Sequence, residues 1–236
     1  MLLRKLRAEV LEANLELVRR GLVLYTFGNA SGIDREQGLI VIKPSGMDYD
    51  KLRLEHMVVT DLDGSIVEGD LRPSSDLDTH SLLYREFSSI GAIVHTHSEY
   101  ATSFAQAGLP IPALGTTHAD YFYGPIPVTA PLSDDAIGGR YVHETGLAII
   151  ERFRAHADQL PIDPLAVPAC LVAGHAPFVW GKNAANAVHH AVVLEAVARM
   201  AYRTLLLKSN AGEVSQALLD RHYFRKHGST ATYGQS

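Results

Sequence analysis

The sequence has few of the features that mark secreted, membrane or nucleotide-binding proteins. Cys170 is its only cysteine, so no disulfide can form within the chain and nothing in the composition calls for an oxidising compartment. No apolar run approaches the ~18 residues of a membrane span. Met1 leads directly into Leu-Leu-Arg-Lys-Leu-Arg instead of an apolar signal segment. The expectation is a cytoplasmic protein without a membrane partner. Lysine and arginine are outnumbered by acids, for a net charge of −5, which gives no general attraction to nucleic acid. An anionic substrate would therefore need a local positive site. The pattern Gly-x-x-x-x-Gly-Lys-Ser/Thr is absent, which excludes a P-loop. Gly-x-Gly-x-x-Gly is also absent, so no nicotinamide cofactor is expected. Without His-Glu-x-x-His, the helical metalloprotease site is excluded too.

The 236 residues, 47% of them hydrophobic, can bury a real core without staples. Residues 1–20 have Leu3, Leu6, Val10, Leu17 and Val18 near helical spacing, and Gly21 ends the pattern. Strands are expected at 39–42, 57–60, 65–67, 91–97 and 169–173, with Asp63-Gly64 as a hairpin turn. Helices are expected at 79–87, 98–107 and 183–207, the last being the longest. The Pro-rich stretch 160–168 reads as a surface loop, and residues from 220 onward read as a polar tail. Strands and helices interleave without repeats or long linkers, which makes residues 1–236 one α/β domain with a mixed sheet covered by helices.

His95 and His97 follow an apolar run. On a strand, residues two apart point to one side, so both imidazoles can converge on one ion. His175, just past the apolar run 170–173, offers the third ligand of a zinc-type catalytic site. The competing reading is a pair of half-buried strand histidines satisfied by hydrogen bonds. His143, His156, His189 and His190 lie in helical or charged stretches and read as surface or structural residues. Three loops share one composition: Gly28-Asn29-Ala30-Ser31-Gly32, Lys43-Pro44-Ser45-Gly46 and Pro73-Ser74-Ser75-Asp76. Glycines let backbone N–H groups approach an oxyanion, serines add donors and Lys43 adds charge; each loop alone could equally be a plain turn. Thr116 to Gly124 is dense in functional groups, and His118 and Asp120 share a face if it is extended. Alternatively, Asp120 caps a turn and the tyrosines pack. The tail holds His222, Arg225, His227 and Tyr233, which could equally belong to a frayed end.

These segments, in this order, resemble the class II aldolase and epimerase family. The resemblance runs nearly end to end and is carried by Gly28-Asn29, Val41 to Gly46, Pro73 to Asp76, Ile93 to Ser98, Gly115 to Gly124, Gly174 to Asn183, Arg221 to Gly228 and Tyr233 to Gln235. It implies a three-layer α/β/α fold with a mixed, largely antiparallel central sheet. It implies that His95, His97 and His175 bind one divalent metal ion per subunit, with zinc first and manganese or cobalt open, and that Asp76 stands at or beside that ion. It puts a substrate phosphate on Gly28, Asn29, Ser45, Gly46, Ser74 and Ser75, with Lys43 close by. Thr116, Thr117, His222 and Arg225 would line the site, and Asp120 and Tyr233 would be its acid–base pair. It further implies a cyclic C4 homotetramer with active sites between subunits, completed by the tail at about 220–236. The aldolase branch typically has glutamate where this chain has Asp76, which favours the epimerase branch and a phosphorylated pentulose as substrate. The chain departs most freely from the family pattern at 155–168.

Overall fold

The computed structural model describes residues 1–154, 161–227 and 231–232. The chain opens with α1 (Arg4–Arg19), whose apolar side carries Val10, Ala13 and Leu17. Next come β1 (Asn29–Asp34) and β2 (Leu39–Ile42), then β3 (Val58–Asp61) and β4 (Ile66–Glu68) around the Asp63-Gly64 turn. Helix α2 (Leu77–Glu86) leads to β5 (Ala92–His95) and α3 (Glu99–Ala107), which Gly108 terminates in the left-handed conformation at φ 65°. Three further helical segments follow: the short α4 (Thr116–Ala119) and α5 (Asp134–Gly138), and the longer α6 (Tyr141–Phe153). Strands β6 (Ala169–Leu171) and β7 (Pro177–Gly181) precede α7 (Ala184–Leu207) and α8 (Gln216–Phe224). The side chain of Asn183 caps α7 by accepting from the Asn186 N–H. Among the described residues, no helix is long and apolar enough to cross a membrane.

The strands form one seven-stranded sheet in the order β4-β3-β2-β1-β5-β7-β6. Every pairing between these strands is antiparallel, and among the described residues the parallel component is a single bridge from Val128 to Leu171. Alternation along the strands sorts the core into two layers. Ala92, Val94 and Val179 pack against α1, α3 and α7 on one face. Ile93, Phe178 and Trp180 pack with residues of α2 and α6 on the other. This is the expected three-layer α/β/α arrangement.

Three sequence expectations need correction. Residues 28–32 read as a loop, yet Asn29–Asp34 is a central strand. Its small residues are an adaptation to crowding: a Cβ on Gly32 would lie 2.8 Å from Leu6 Cδ1 and 3.0 Å from Val10 Cγ2 of the overlying α1. The strand expected to reach residue 97 ends at His95. The polar tail from residue 220 begins inside α8, which Ser215 caps by accepting from Leu218 N–H.

Candidate metal and phosphate site

The antiparallel register determines which residues meet. Asn29 pairs with His95, Ser31 with Ile42, and His95 with Phe178. The start of β1, the end of β2, the end of β5 and the start of β7 therefore lie along one edge of the sheet. The connections at that edge carry Gly28, Lys43, His97 and His175. Gly28 has φ 77°, and a Cβ there would lie 2.7 Å from the His95 carbonyl oxygen. Only glycine fits both conditions.

His95, His97 and His175 each offer one ligand nitrogen, and these atoms lie within 4.8 Å of one another. His95 Nδ1 lies 3.0 Å from the Pro177 carbonyl oxygen. A carbonyl can only accept, so the Nδ1–H donates and Nε2 is left with its lone pair. Phe178 stacks on the His95 ring at 4.2 Å and holds its plane. His95 Nε2 and His97 Nε2 face each other at 3.2 Å, and buried His175 Nδ1 has no partner among the described residues. Burial, reinforced by the neighbouring imidazoles, lowers the pKa of His97, and it lowers that of His175 to about 4. Burial also lowers that of His95, against the pull of Asp76. The three rings are thus neutral near pH 7. Converging imidazole lone pairs and an orphaned ring nitrogen fit a divalent ion of the borderline, zinc-like class. The cluster is consistent with a divalent metal site.

Asp76 lies beside the cluster. Asn29 Nδ2 donates to its Oδ2 at 2.6 Å. Burial opposes its ionisation, but the facing His95 and His80, the Asn29 donor and His175 hold the carboxyl below the usual range. The 43–46 and 73–76 loops are joined by two backbone bonds, Ser45 N–H to Arg72 O and Ser74 N–H to Lys43 O, both 2.9 Å. They and the Gly28-Asn29 turn enclose a cavity of about 380 Å³ that the three histidines also line. The buried Lys43 ammonium stands 4.7 Å over the Tyr49 ring, and burial pushes its pKa down to about 8. A larger groove of about 1030 Å³ lies between α1 and α7, but its lining is mostly apolar and lacks the three histidines. Size therefore does not locate the chemistry here.

Asp120 belongs to a second cluster. The 116–119 segment is helical, not extended, so His118 turns inward and bonds Gly124 O through Nε2 at 2.7 Å. Asp120 Oδ1 takes His222 Nδ1 at 3.0 Å and Arg225 Nε at 3.0 Å. Its Oδ2 takes an Arg225 terminal nitrogen at 2.8 Å and lies 3.4 Å from Lys226 Nζ. Thr116 and Thr117 lie on the same short helix, and both are exposed. The structure thus brings Asp120, His222 and Arg225 together, but none of them lines the cavity that holds the three histidines. Tyr233 and His156 lie outside the described residues. His190, expected to be surface or structural, is buried and bonds the Trp180 carbonyl oxygen at 2.8 Å.

Sequence reasoning missed His80 and Tyr84, and it read Ser31 as an oxyanion donor of the Gly28–Gly32 loop, whereas Ser31 is buried and does not line the cavity. His80 and Tyr84 are fully buried at successive helical turns after Asp76, and both contact Ser31 Oγ at 2.7 Å. Their four-residue spacing was the available signal.

Residues 8–202 match the family described as Class II Aldolase and Adducin N-terminal domain. The chain belongs to this family. It is 50% identical over 233 residues to the L-ribulose-5-phosphate 4-epimerase UlaF of Salmonella typhi, covering 99% of this chain and 100% of the relative. The same figures hold for the protein of that name from Salmonella paratyphi A. Among solved structures it resembles an L-fuculose 1-phosphate aldolase with TM-score 0.74 and 24% identity, covering 94% of this chain and 95% of the other. It also resembles the L-fuculose-1-phosphate aldolase of Thermus thermophilus with TM-score 0.66 and 22% identity, covering 89% and 99%. These structural matches bear on the fold.

Proposed function

We propose that the chain is a metal-dependent L-ribulose-5-phosphate 4-epimerase that interconverts L-ribulose 5-phosphate and D-xylulose 5-phosphate. The carrying observation is the three-histidine cluster sharing one cavity with a glycine- and serine-rich cradle, in a chain half identical over its full length to epimerases of that name.

The chemistry follows from the substrate. C4 is two bonds from the ketone carbon, so its hydrogen is not acidified and simple deprotonation is a poor route. Oxidation at C4 would need a nicotinamide, for which the sequence has no fingerprint. Cleaving C3–C4 leaves an enediolate of dihydroxyacetone and glycolaldehyde phosphate; the aldehyde then turns and is attacked on its other face. A divalent ion held by His95, His97 and His175, zinc in our reading, supplies Lewis-acid stabilisation of the charge on the three-carbon fragment. Lys43, with the backbone N–H groups and hydroxyls of Gly28, Asn29, Ser45, Gly46, Ser74 and Ser75, grips the phosphate so that the aldehyde turns without escaping. The C4 oxygen points oppositely in the two epimers, so a proton carrier is needed on each side. Asp120 and Tyr233 are assigned these roles, with Thr116, Thr117, His222 and Arg225 around them.

The separation of the Asp120 cluster from the metal cavity within one chain supports an assembly in which a neighbour completes each site. We assign a C4 homotetramer, with the tail at about 220–236 reaching across. The test is a coupled assay for D-xylulose 5-phosphate formed from L-ribulose 5-phosphate by metal-loaded protein. Accumulation of free dihydroxyacetone and glycolaldehyde phosphate without epimer would make it an aldolase instead.

A further inference from the structure

The buried histidine behind the site, His80, has no role in the chemistry above. It is fully buried on α2, one turn after Asp76, and its Nδ1 contacts Ser31 Oγ, which also contacts the Tyr84 hydroxyl. The hydrogens of this trio can be assigned by counting. Among the described residues Ser31 Oγ is the one acceptor that the buried Tyr84 hydroxyl reaches, since the nearby Ile93 backbone N–H can only donate. Tyr84 therefore donates to Ser31. Ser31 then gives its own hydrogen to His80 Nδ1. A fully buried imidazole with a hydroxyl partner stays neutral, so its hydrogen sits on Nε2. The reverse order would orphan both the Tyr84 hydrogen and the His80 Nε2 lone pair, instead of Nε2 alone, at ~1–3 kcal/mol for the additional group.

The Nε2–H so fixed is buried and has no partner among the described residues. Its surroundings point to one. Asn29 and Ser31 share a face of β1, being two residues apart. Asp76 and His80 share a face of α2, being four apart. Asn29 bonds Asp76 and Ser31 bonds His80, forming two parallel rungs between the strand and the helix. On the first rung Asp76 Oδ2 is taken by Asn29, and Oδ1 has no protein donor among the described residues. His80 also meets Phe178 edge-on at 6.0 Å, and Phe178 stacks on His95.

We propose that His80 is a positioning residue of the metal site, its Nε2–H holding the free oxygen of Asp76 through one buried water while Asn29 holds the other. The backbones of the two residues are joined, His80 N–H donating to the Asp76 carbonyl oxygen at 3.0 Å. Among the described residues no hydrogen bond or ion pair joins their side chains, and a single buried water with polar partners can bridge them at little cost. The Tyr84–Ser31–His80 chain is then the device that orients Asp76 toward the metal. The proposal rests on the reading that the three histidines bind a divalent ion with Asp76 beside it.

The test uses Co²⁺ as probe, titrated into apo full-length protein, and reads affinity and the ligand-field spectrum alongside the thermal midpoint. His80→Phe keeps a ring and removes the donor. Its Co²⁺ affinity should fall ~10- to 100-fold with an altered spectrum, as for outer partners of metal sites generally. His80→Gln, whose amide can still donate, should recover most of that loss. Should His80→Phe fail to fold, Ser31→Ala carries the test. It frees the tautomer and should weaken Co²⁺ binding ~10-fold or more. Parental Co²⁺ affinity and spectrum in His80→Phe or Ser31→Ala, whatever the thermal midpoint, would overturn the proposal and leave His80 a core residue. If the parent itself takes up no Co²⁺, the metal reading falls, and this inference with it.

Discussion

Replacing Lys43 with methionine should stabilise the protein and damage its function at once. Lys43 is 2% exposed, and its ammonium has the Tyr49 ring at 4.7 Å and one long contact, 3.4 Å, to the Pro44 carbonyl oxygen. Burial lowers its pKa from 10.5 to about 8, with Asp48 opposing. That displacement converts to roughly 3 kcal/mol against the folded state. The sign follows from linkage. Below pH about 8 both states are protonated and the whole penalty applies. Between there and the unfolded lysine's value, ~10.4, the unfolded chain holds a proton that the folded chain has released, so stability climbs with pH. Lys43→Met keeps the stem and removes the charge. It should be more stable than the parent by ~1–3 kcal/mol at pH 7, an advantage that vanishes above pH ~10.5. A phosphate would offset the penalty in the parent through a charge-assisted bond worth about 1.5–3 kcal/mol. The KM for phosphorylated substrate should therefore rise ~10- to 100-fold in the variant. The parent's own KM should climb above pH about 8, where Lys43 loses its proton, and the variant's should not. Urea unfolding at pH ~7 and pH ~10.5, on either side of the lysine's titration, together with initial-rate kinetics, measures all of this. A variant less stable than the parent at neutral pH, or one with parental KM, would refute the reasoning.

Three further outcomes are expected. His175→Ala should lose both bound metal and turnover while staying folded, because it removes one converging nitrogen from a partly exposed position; full metal occupancy by elemental analysis would remove His175 from the ligand set. Epimerisation in heavy water should leave C4 free of deuterium, and mass spectrometry or NMR finding solvent deuterium there would exclude C3–C4 cleavage as the route. Tyr233→Phe removes one hydroxyl, and Asp120→Asn removes the charge that His222 and Arg225 hold. Each should slow turnover ~10²- to 10⁴-fold if it carries a proton. The thermal midpoint should fall in Asp120→Asn, which loses its ion pairs, and barely move in Tyr233→Phe. Near-normal turnover in Tyr233→Phe would return that residue to the frayed-end reading.

The ends of α1, α3 and α7 were legible to within a few residues because apolar residues mark the helices and Gly21 and Gly108 mark where two of them stop. The His95, His97 and His175 cluster was legible in part, because an apolar run precedes each site, but strand geometry orients only His95, since His97 and His175 lie on the connections beyond the strands. Strand β1 was hidden for a physical reason. Its residues Asn29 to Gly32 are small or polar, with Gly32 leaving room for the overlying α1, which removes the apolar alternation that identifies a strand. Helix α4 was hidden because four residues carry no period, and with it went the direction of His118. The buried Ser31, His80 and Tyr84 trio left only the spacing of two polar residues on α2, a pattern shared by many solvated helices.

The two clusters are held by different kinds of structure, and this bears on how the protein can work. The proposed metal and phosphate residues sit at or just beyond the strand ends on one side of an antiparallel sheet, and the β1–β5–β7 register fixes where those ends meet. A one-residue slip in that register would turn His95 to the opposite face, exchanging Phe178 and Asp76 for the α1–α7 layer. Burial disfavours the charged forms of the cluster's imidazoles and of the Lys43 ammonium, and in the proposed site a metal ion would take the imidazole lone pairs and a phosphate would offset the ammonium's cost. Asp120 depends on no sheet pairing. It is clamped by His222, Arg225 and Lys226 at the C-terminal end of α8, and Tyr233 follows in the sequence. The clamp takes up the carboxylate with cationic donors from one short segment, so its strength governs how firmly that segment is anchored. A substrate fragment that must turn between two proton carriers needs one wall that never moves and a second that can be placed around it. In the proposed mechanism the loops at the strand ends supply the first, and the helix-end clamp at Asp120 supplies the second.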